Sequence, residues 1–422
     1  MKYRHRVLVL LFLLSVITYI DRVCISVAGP RMQKDLGMSP DLWGWVVGIF
    51  AISYAALGTP VGQLGDKIGA RSVLAVIVIW WSLFTSLTGA VSAFSILLLV
   101  RFLFGAGEAG AFPVSSSSIS HWFPAVERAR ATGVMWMASR VGGALSPVLV
   151  IPIQLTWGWR ASFWAFGIMG LFWSWAWWAW YRDTPAEKKG VSREELEEIT
   201  ASAAAVSKKE KLPWGKVLAK GQFWVLLGMY HTYCWGAYFF LSWLHTFLAK
   251  GRGFSDEDLA RYSWLPFVFG GLANLAGGVA SDYLVKKWGL KWGRRAVGGF
   301  GLSAAALFTL AAALVHHKIA CVVLLSFAFG SSDFMLPVSW AVCLDVGRRY
   351  AGAISGAMNS AGQVGAFLSS VAFGYLVRTF NSYDVPLLVM SVMVFISALL
   401  FFKVDPTREL LPEQKEPVRQ HV

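Results

Sequence analysis

Gly62-Gln63-Leu64-Gly65-Asp66-Lys67-Ile68-Gly69-Ala70-Arg71 is a short charged break, dense in glycine, between apolar runs at 43–64 and 72–92. Each run is close to the roughly 20 residues that a helix needs to cross a bilayer. Outward from this break the same alternation repeats along the chain. Apolar runs lie at roughly 7–28, 43–64, 72–92, 95–119, 130–155, 161–181, 221–249, 262–285, 295–315, 319–345, 352–377 and 384–403. In lipid, only helices satisfy so many backbone groups without closing a barrel. The expected fold class is therefore an all-α integral membrane protein with twelve transmembrane helices.

Composition agrees. The 422 residues are 56% hydrophobic and 15% charged, with a mean hydropathy of +0.55. A soluble domain carries about 25% charged residues. The net charge of +14 would suggest nucleic acid in a soluble chain. Here the basic residues sit between apolar runs, as the positive-inside rule requires, and no nucleic acid is expected. With both termini cytoplasmic, the inner segments hold roughly 27 of the 38 Lys and Arg. Many of the 22 Trp cluster at span ends, as in Trp173-Ser174-Trp175-Ala176-Trp177-Trp178, where the lipid boundary favours them. Cys24, Cys234, Cys321 and Cys343 lie in apolar runs and read as small buried residues, not as a disulfide framework or a metal site. Lys2, Arg4 and Arg6 precede the first run without a small-residue cleavage site, so this helix is expected to be uncleaved.

A polar insert, with Glu194, Glu195, Glu197, Glu198, Lys208, Lys209 and Lys211, divides the chain. Ser192 and Glu195 have capping-box spacing, which predicts a surface helix there. The expected organisation is an N-terminal six-helix half (1–181), a cytoplasmic linker (182–220), a C-terminal six-helix half (221–404) and a cytoplasmic tail (405–422). The halves look duplicated: Gly62 to Asp66 matches Gly278-Val-Ala-Ser-Asp282, and Ala131-Thr-Gly133 through Gly142 matches Ile354-Ser-Gly356 through Gly365. Parallel duplication places a solute site between halves, near mid-membrane.

The Gly62–Arg71 stretch resembles the loop 2–3 signature of the major facilitator superfamily, and Asp282 with Arg294-Arg295 resembles a degenerate second copy. Thr18-Tyr19-Ile20-Asp21-Arg22, Arg101-Phe-Leu-Phe-Gly105-Ala-Gly107-Glu108 and His121-Trp-Phe-Pro124-Ala-Val-Glu127-Arg128 resemble the anion:cation symporter family. Asp183-Thr-Pro185 and Glu194-Glu-Leu-Glu-Glu-Ile199 are similar to the start of its central loop. The Tyr-x-Asp-Arg form is closest to proton-coupled sugar-acid transporters of the galactonate and glucarate type. The resemblance implies the pseudo-symmetric two-half fold and proton-coupled symport into the cell of a small organic anion, such as galactonate, glucarate or a hexuronate. It implies a monomer in the inner membrane, with protons, cargo and lipid as its partners and no cofactor. Gly62, Asp66, Arg71 and Asp282 would form a conformational latch, with Asp66 facing a helix N-terminus or a cation across the interface between halves. Tyr19 and Tyr54 match family positions that contact substrate, and Asn359 lies where the family places a polar contact.

The residues carry their own argument. Asp21, Arg22, Arg101, Glu108, Arg140 and Asp333 fall within spans. A charge in mid-membrane costs at least about 2.5 kcal/mol, so such residues face a cavity or a partner. Asp21 and Arg22 point about 100° apart around their helix and cannot share one partner. Arg101 and Glu108, seven residues apart, share a face. The expectation is that Arg22 and Arg101 bind the cargo's carboxylate, Arg22 by a forked bond, and that Asp21 and Glu108 carry protons. The alternative is a fixed structural ion-pair network. Trp340 walls the cavity or packs between helices. His231 is a coupling group or a satisfied histidine. Arg140 takes a second anionic group, snorkels or pairs with Asp21.

No G-x-x-x-x-G-K-[ST] loop is present, which disfavours ATP-driven pumping. An exporter of organic or aromatic solutes is the main alternative; it would show an aromatic cavity and little need for Arg22 and Arg101. A remote alternative is an intramembrane enzyme or sensor, but Ser115–Ser118 has no nearby base in sequence, and no metal-ligand spacing occurs. The chain is not expected to be an enzyme.

Overall fold

The computed structural model describes residues 2–201 and 213–411. Residues 202–212 of the expected linker, with Lys208, Lys209 and Lys211, and 412–422 of the expected tail lie outside the described residues. Every regular element described is a helix. The first group comprises α1 (Tyr3–Asp35), α2 (Pro40–Ile68), α3 (Ala70–Thr88), α4 (Phe94–Glu108), α5 (Ala111–Trp122), α6 (Ala125–Trp157) and α7 (Trp159–Trp180). Two short helices follow, α8 (Arg193–Ala201) and α9 (Trp214–Leu218). The second group holds α10 (Gly221–Ser242), α11 (Leu244–Thr246), α12 (Asp256–Tyr262), α13 (Leu265–Leu314), α14 (Lys318–Gly347), α15 (Ala351–Phe380) and α16 (Asp384–Lys403).

Among the described residues, nine segments are long and apolar enough to cross a membrane. One of these runs from Asp256 to Leu314 and turns back at Gly289, whose φ of 77° ends one helix and starts the next. Helices α7 and α10 have 22 residues each, about 33 Å; their Trp, Tyr, Gly and Ser lower mean hydropathy without shortening them. The described residues therefore supply twelve crossings in two six-helix halves. The expected fourth run is two helices, since α4 ends at Glu108 and α5 begins at Ala111. The seventh runs on through α11 and a π-helical turn at Phe247–Gly251.

The duplication read from the sequence has a packing counterpart. A Cβ on Gly142 of α6 would strike the Val16 carbonyl of α1, and one on Gly365 of α15 would strike the His231 carbonyl of α10. Both glycines let a helix backbone lie against its neighbour. The membrane-surface turns also correspond. Gly69 (φ 92°) ends α2; the Arg71 amide donates to Asp183 Oδ1 at 2.9 Å, and its guanidinium donates to the Trp178 carbonyl at the end of α7. Past Gly289, Arg295 Nε donates to the Val404 carbonyl at the end of α16 at 2.7 Å, while Lys291 pairs with Asp405.

Helix α8 is clamped to the start of α1. Glu195 accepts from the amides of Tyr3 and Arg4 at 3.0 and 2.9 Å, filling two of the free donors of a helix N-terminus. Ser192 Oγ accepts from the Glu195 amide at 3.2 Å. Lys2 and Arg4 pair with Glu198, both at 2.6 Å.

The halves meet most closely at the end that carries Asp35 and Asp384. There Gly44 of α2 lies on the Ser370–Val371 backbone, Gly48 on Phe367, and Gly374 of α15 on the Pro40 backbone. Asp41 pairs with Arg378 at 2.6 Å and Arg31 with Asp256 at 2.6 Å; Lys250 donates to Gln33 at 3.0 Å. Helix α2 is buried at ten positions from Asp41 to Tyr54, but beyond Tyr54 only at Gly65. Toward the end carrying the chain's N-terminus α2 is thus largely uncovered, and we read this as a wedge between the halves.

Candidate functional site

Helices of both halves line a cavity of about 80 Å³ at mid-height. From the first half, α1 contributes Tyr19 and Arg22, α2 Tyr54, α5 Phe112, and α6 Trp136 and Arg140. From the second, α10 contributes Tyr230, Tyr233 and Tyr238, α14 Phe329 and Trp340, and α15 Asn359 and Gln363. The walls are aromatic: Trp136 stacks on Phe112 at 4.7 Å and faces Trp340 at 6.2 Å. Tyr238 donates to Gln363 Oε1 at 2.6 Å.

Arg22 is held from three sides. Its guanidinium carbon lies 5.1 Å from the rings of Tyr19 and Phe50 and 4.8 Å from that of Tyr54, all within cation–π range. Nε donates to Glu108 Oε2 at 2.8 Å, with Arg22 7% and Glu108 0% exposed. Nη2 of Arg22 and Oε1 of Glu108 have no hydrogen-bond partner among the described residues. A guanidinium is a planar fork of donors, so Arg22 keeps donor capacity beside the cavity.

Behind it lie the groups that do not line the cavity. Asp21 is 1% exposed and neither of its oxygens has a hydrogen-bond partner among the described residues. Its neighbours are the charges of Glu108 and Arg101 and the indole of Trp81. Arg101, 3% exposed, lies over the ring of Phe104 at 4.5 Å. It faces Glu108 and Asp21, not the cavity. Expected at the cargo, Arg101 lies behind the residues that line the cavity. Seven-residue spacing set the face shared with Glu108 but not its depth, and helix α4 buries Arg101 toward α1. Gly105 leaves room for the approach of α2: a Cβ there would meet Ser53 Oγ and the Phe50 carbonyl.

Of the other expected residues, Tyr19, Tyr54, Asn359 and Trp340 line the cavity with Arg22. Arg140 pairs with Asp333, not with Asp21: Nη2 to Oδ1 is 2.8 Å and Nε to Oδ2 is 2.5 Å. His231 Nδ1 is satisfied by the Ala361 carbonyl at 3.0 Å. The proposed latch residues lie far from the cavity, and their described partners belong to their own halves. Gly62 packs on Pro113, Asp66 accepts from Ser117 at 3.1 Å, Arg71 binds α7, and Asp282 is 3.6 Å from Arg294. Sequence reasoning missed Trp136, Tyr233, Tyr238 and Gln363. The available signal was the Tyr230, Tyr233, Cys234, Ala237, Tyr238 face of α10, spaced by three and four residues.

A family model described as Major Facilitator Superfamily matches residues 11–370. The chain is 33% identical over 408 residues to the "Probable sulfoacetate transporter SauU" of Cupriavidus necator, covering 96% of this chain and 94% of that one. It is 30% identical over 420 residues to the "Probable galactarate/D-glucarate transporter GudP" of Escherichia coli, covering 94% and 92%. Among solved structures, a bacterial homolog of the human lysosomal transporter Spinster, inward-facing and occupied, superposes with a TM-score of 0.77 at 22% identity, covering 95% and 97%.

Proposed function

Because this chain belongs to the Major Facilitator Superfamily, and is thus a multi-pass membrane transporter and not an enzyme, we propose that it takes up a small organic anion by proton-coupled symport. The cargo class is a sugar acid or an acid of similar or smaller size, as for relatives named for sulfoacetate and galactarate/D-glucarate. The observation that carries this reading is Arg22. It is a buried cation on the cavity wall, bonded through Nε to Glu108 and, among the described residues, unpartnered at Nη2.

The mechanism follows from charge. A cargo carboxylate takes the free donors of Arg22 in a charge-assisted bond. Glu108 then shares Arg22 with the cargo and takes up a proton, since two carboxylates cannot both stay ionised on one guanidinium in a low-dielectric site. Asp21 is the second proton carrier, with Arg101 as the fixed charge between Asp21 and Glu108. Tyr19, Tyr54 and Asn359 offer hydroxyl and amide partners to cargo hydroxyls, and Trp340 is a wall. Both termini are cytoplasmic in this reading, so the wedge opens to the cytoplasm and the closed end faces outward. The protein works as a monomer in the inner membrane, with domain limits at 181, 220 and 404. Asp66, Arg71, Gly62 and Asp282 latch the inner end when the halves close there.

The aromatic walls favour one second reading, export of an aromatic solute. Purified protein in liposomes separates the two. Galacturonate, glucarate or sulfoacetate should accumulate only under an acid-outside gradient, with uptake lost in Arg22→Ala. Gradient-independent uptake, or uptake that persists without Arg22, contradicts the proposal. Proton-driven expulsion of a neutral aromatic solute would establish the exporter.

A further inference from the structure

The cavity holds a second guanidinium that carriage of a monoanion does not require. Arg140 lines it, with its guanidinium carbon 5.8 Å from the Tyr19 ring. Arg22 lies 5.1 Å from the same ring. The two cations are therefore no farther apart than those two legs allow, about 11 Å. Each is held by one protein carboxylate, Arg22 by Glu108 and Arg140 by Asp333. Asp333 belongs to α14 and Arg140 to α6, so this second pair, unlike Arg22–Glu108, joins the two halves.

The pair occupies a recess made for it. A Cβ on Gly270 of α13 would lie 2.7 Å from Asp333 Oδ2, and one on Gly271 would lie 3.3 Å from Arg140 Cβ. Among the described residues, the charged and titratable groups facing Asp333 are Arg140 from α6 and Tyr233 from α10. Asp333 is 0% exposed, so Arg140 is its sole described counter-charge.

We propose that Arg140 is a second anion subsite of this cavity, and that the cargo is a short dianion whose two acid groups take Arg22 and Arg140 from Glu108 and Asp333. This deepens the preceding section and rests on its reading of the cavity as an anion site. A monoanion would exchange with Glu108 alone and leave the Arg140–Asp333 clasp shut. A dianion replaces both protein carboxylates, and Glu108 and Asp333 each take up one proton as they are displaced, so no guanidinium or carboxylate is left buried without a counter-charge, which would be costly. Release of Asp333 also opens the bond between halves, which ties occupancy to movement. In a forked ion pair the acid carbon lies about 4 Å from the guanidinium carbon. A cargo lying between these cations therefore has only one or two carbons between its acid groups, and suits a cavity of about 80 Å³.

The test is titration of the purified full chain at neutral pH with malonate, monomethyl malonate, glucarate and galacturonate. Malonate is expected to bind about tenfold more tightly than monomethyl malonate, and more tightly than glucarate. The double variant Arg140→Gln/Asp333→Asn removes both charges and so leaves no buried ion uncompensated. It should erase the malonate advantage, so that malonate and monomethyl malonate bind alike. Asp333→Asn alone should raise malonate affinity, because a competing carboxylate is gone; a merely structural clasp would lower it. Equal binding of malonate and its monoester, or a preference for malonate that survives the double variant, overturns the proposal. Galacturonate binding without any Arg140-dependent preference for malonate overturns this inference alone. Failure of every anion to bind overturns the anion-carrier reading with it.

Discussion

Arg22 divides its guanidinium between a protein carboxylate and the cavity, and that division predicts how substitutions behave. Arg22→Lys keeps a charge but loses the planar fork. It should raise the cargo KM about tenfold or more while the protein still unfolds cooperatively, as read by uptake in liposomes beside thermal unfolding. Glu108→Ala strands a buried cation and should cost about 3–5 kcal/mol of stability by chemical denaturation. The Arg22 site was legible because a charge inside an apolar run is costly and needs a reason. Arg101 was legible as buried but not as hidden, since helical spacing gives direction and not depth. Gln363 and Trp136 were not legible: a polar aromatic or amide in a span reads the same at the lipid boundary, in a helix contact or on a cavity wall. Asp333 could be placed in a span, but its partner Arg140 is 193 residues away, beyond any local pattern.

At the scale of elements, close helix contacts rest on paired glycines. Gly365→Val would drive a side chain into the His231 backbone and should cost about 1–3 kcal/mol or more by overpacking, as should Gly142→Val against Val16. Thermal unfolding in detergent checks both. The α8 clamp makes a different prediction. Lys2 and then Arg4 hold the Glu198 carboxyl down to about 2 from its ordinary 4.5. A carboxyl lowered on folding stabilises fully above its unfolded value and loses that contribution as pH falls through its folded one. Hydrogen-exchange protection of α8 should therefore be level from pH 8 to 5 and decline between about 4.5 and 2. Protection that declines between pH 8 and 6 would refute the clamp. Ser192 and Glu195 announced this helix by spacing. What spacing could not announce is that the Glu195 carboxylate caps α1, a contact made only when the chain returns. The break in the fourth run, between Glu108 and Ala111, was likewise hidden, because hydropathy stays high across it.

For the whole molecule, twelve crossings and the duplication were readable, because hydrocarbon thickness and repeated glycine patterns are properties of sequence. The state of the wedge was not, since both states of a rocking pair of halves share one sequence. Joining Asp41→Cys to Arg378→Cys with a short thiol-reactive linker should hold the closed end shut. Net uptake should stop while cargo binding at the cavity persists. The coupling scheme turns on Glu108 exchanging its cation for a proton when cargo arrives. The most direct measurement is cargo flux in liposomes containing Glu108→Gln, read in two modes. The account predicts that accumulation under an acid-outside gradient is lost while cargo-for-cargo exchange continues near the wild-type rate. Accumulation that persists in Glu108→Gln would contradict it.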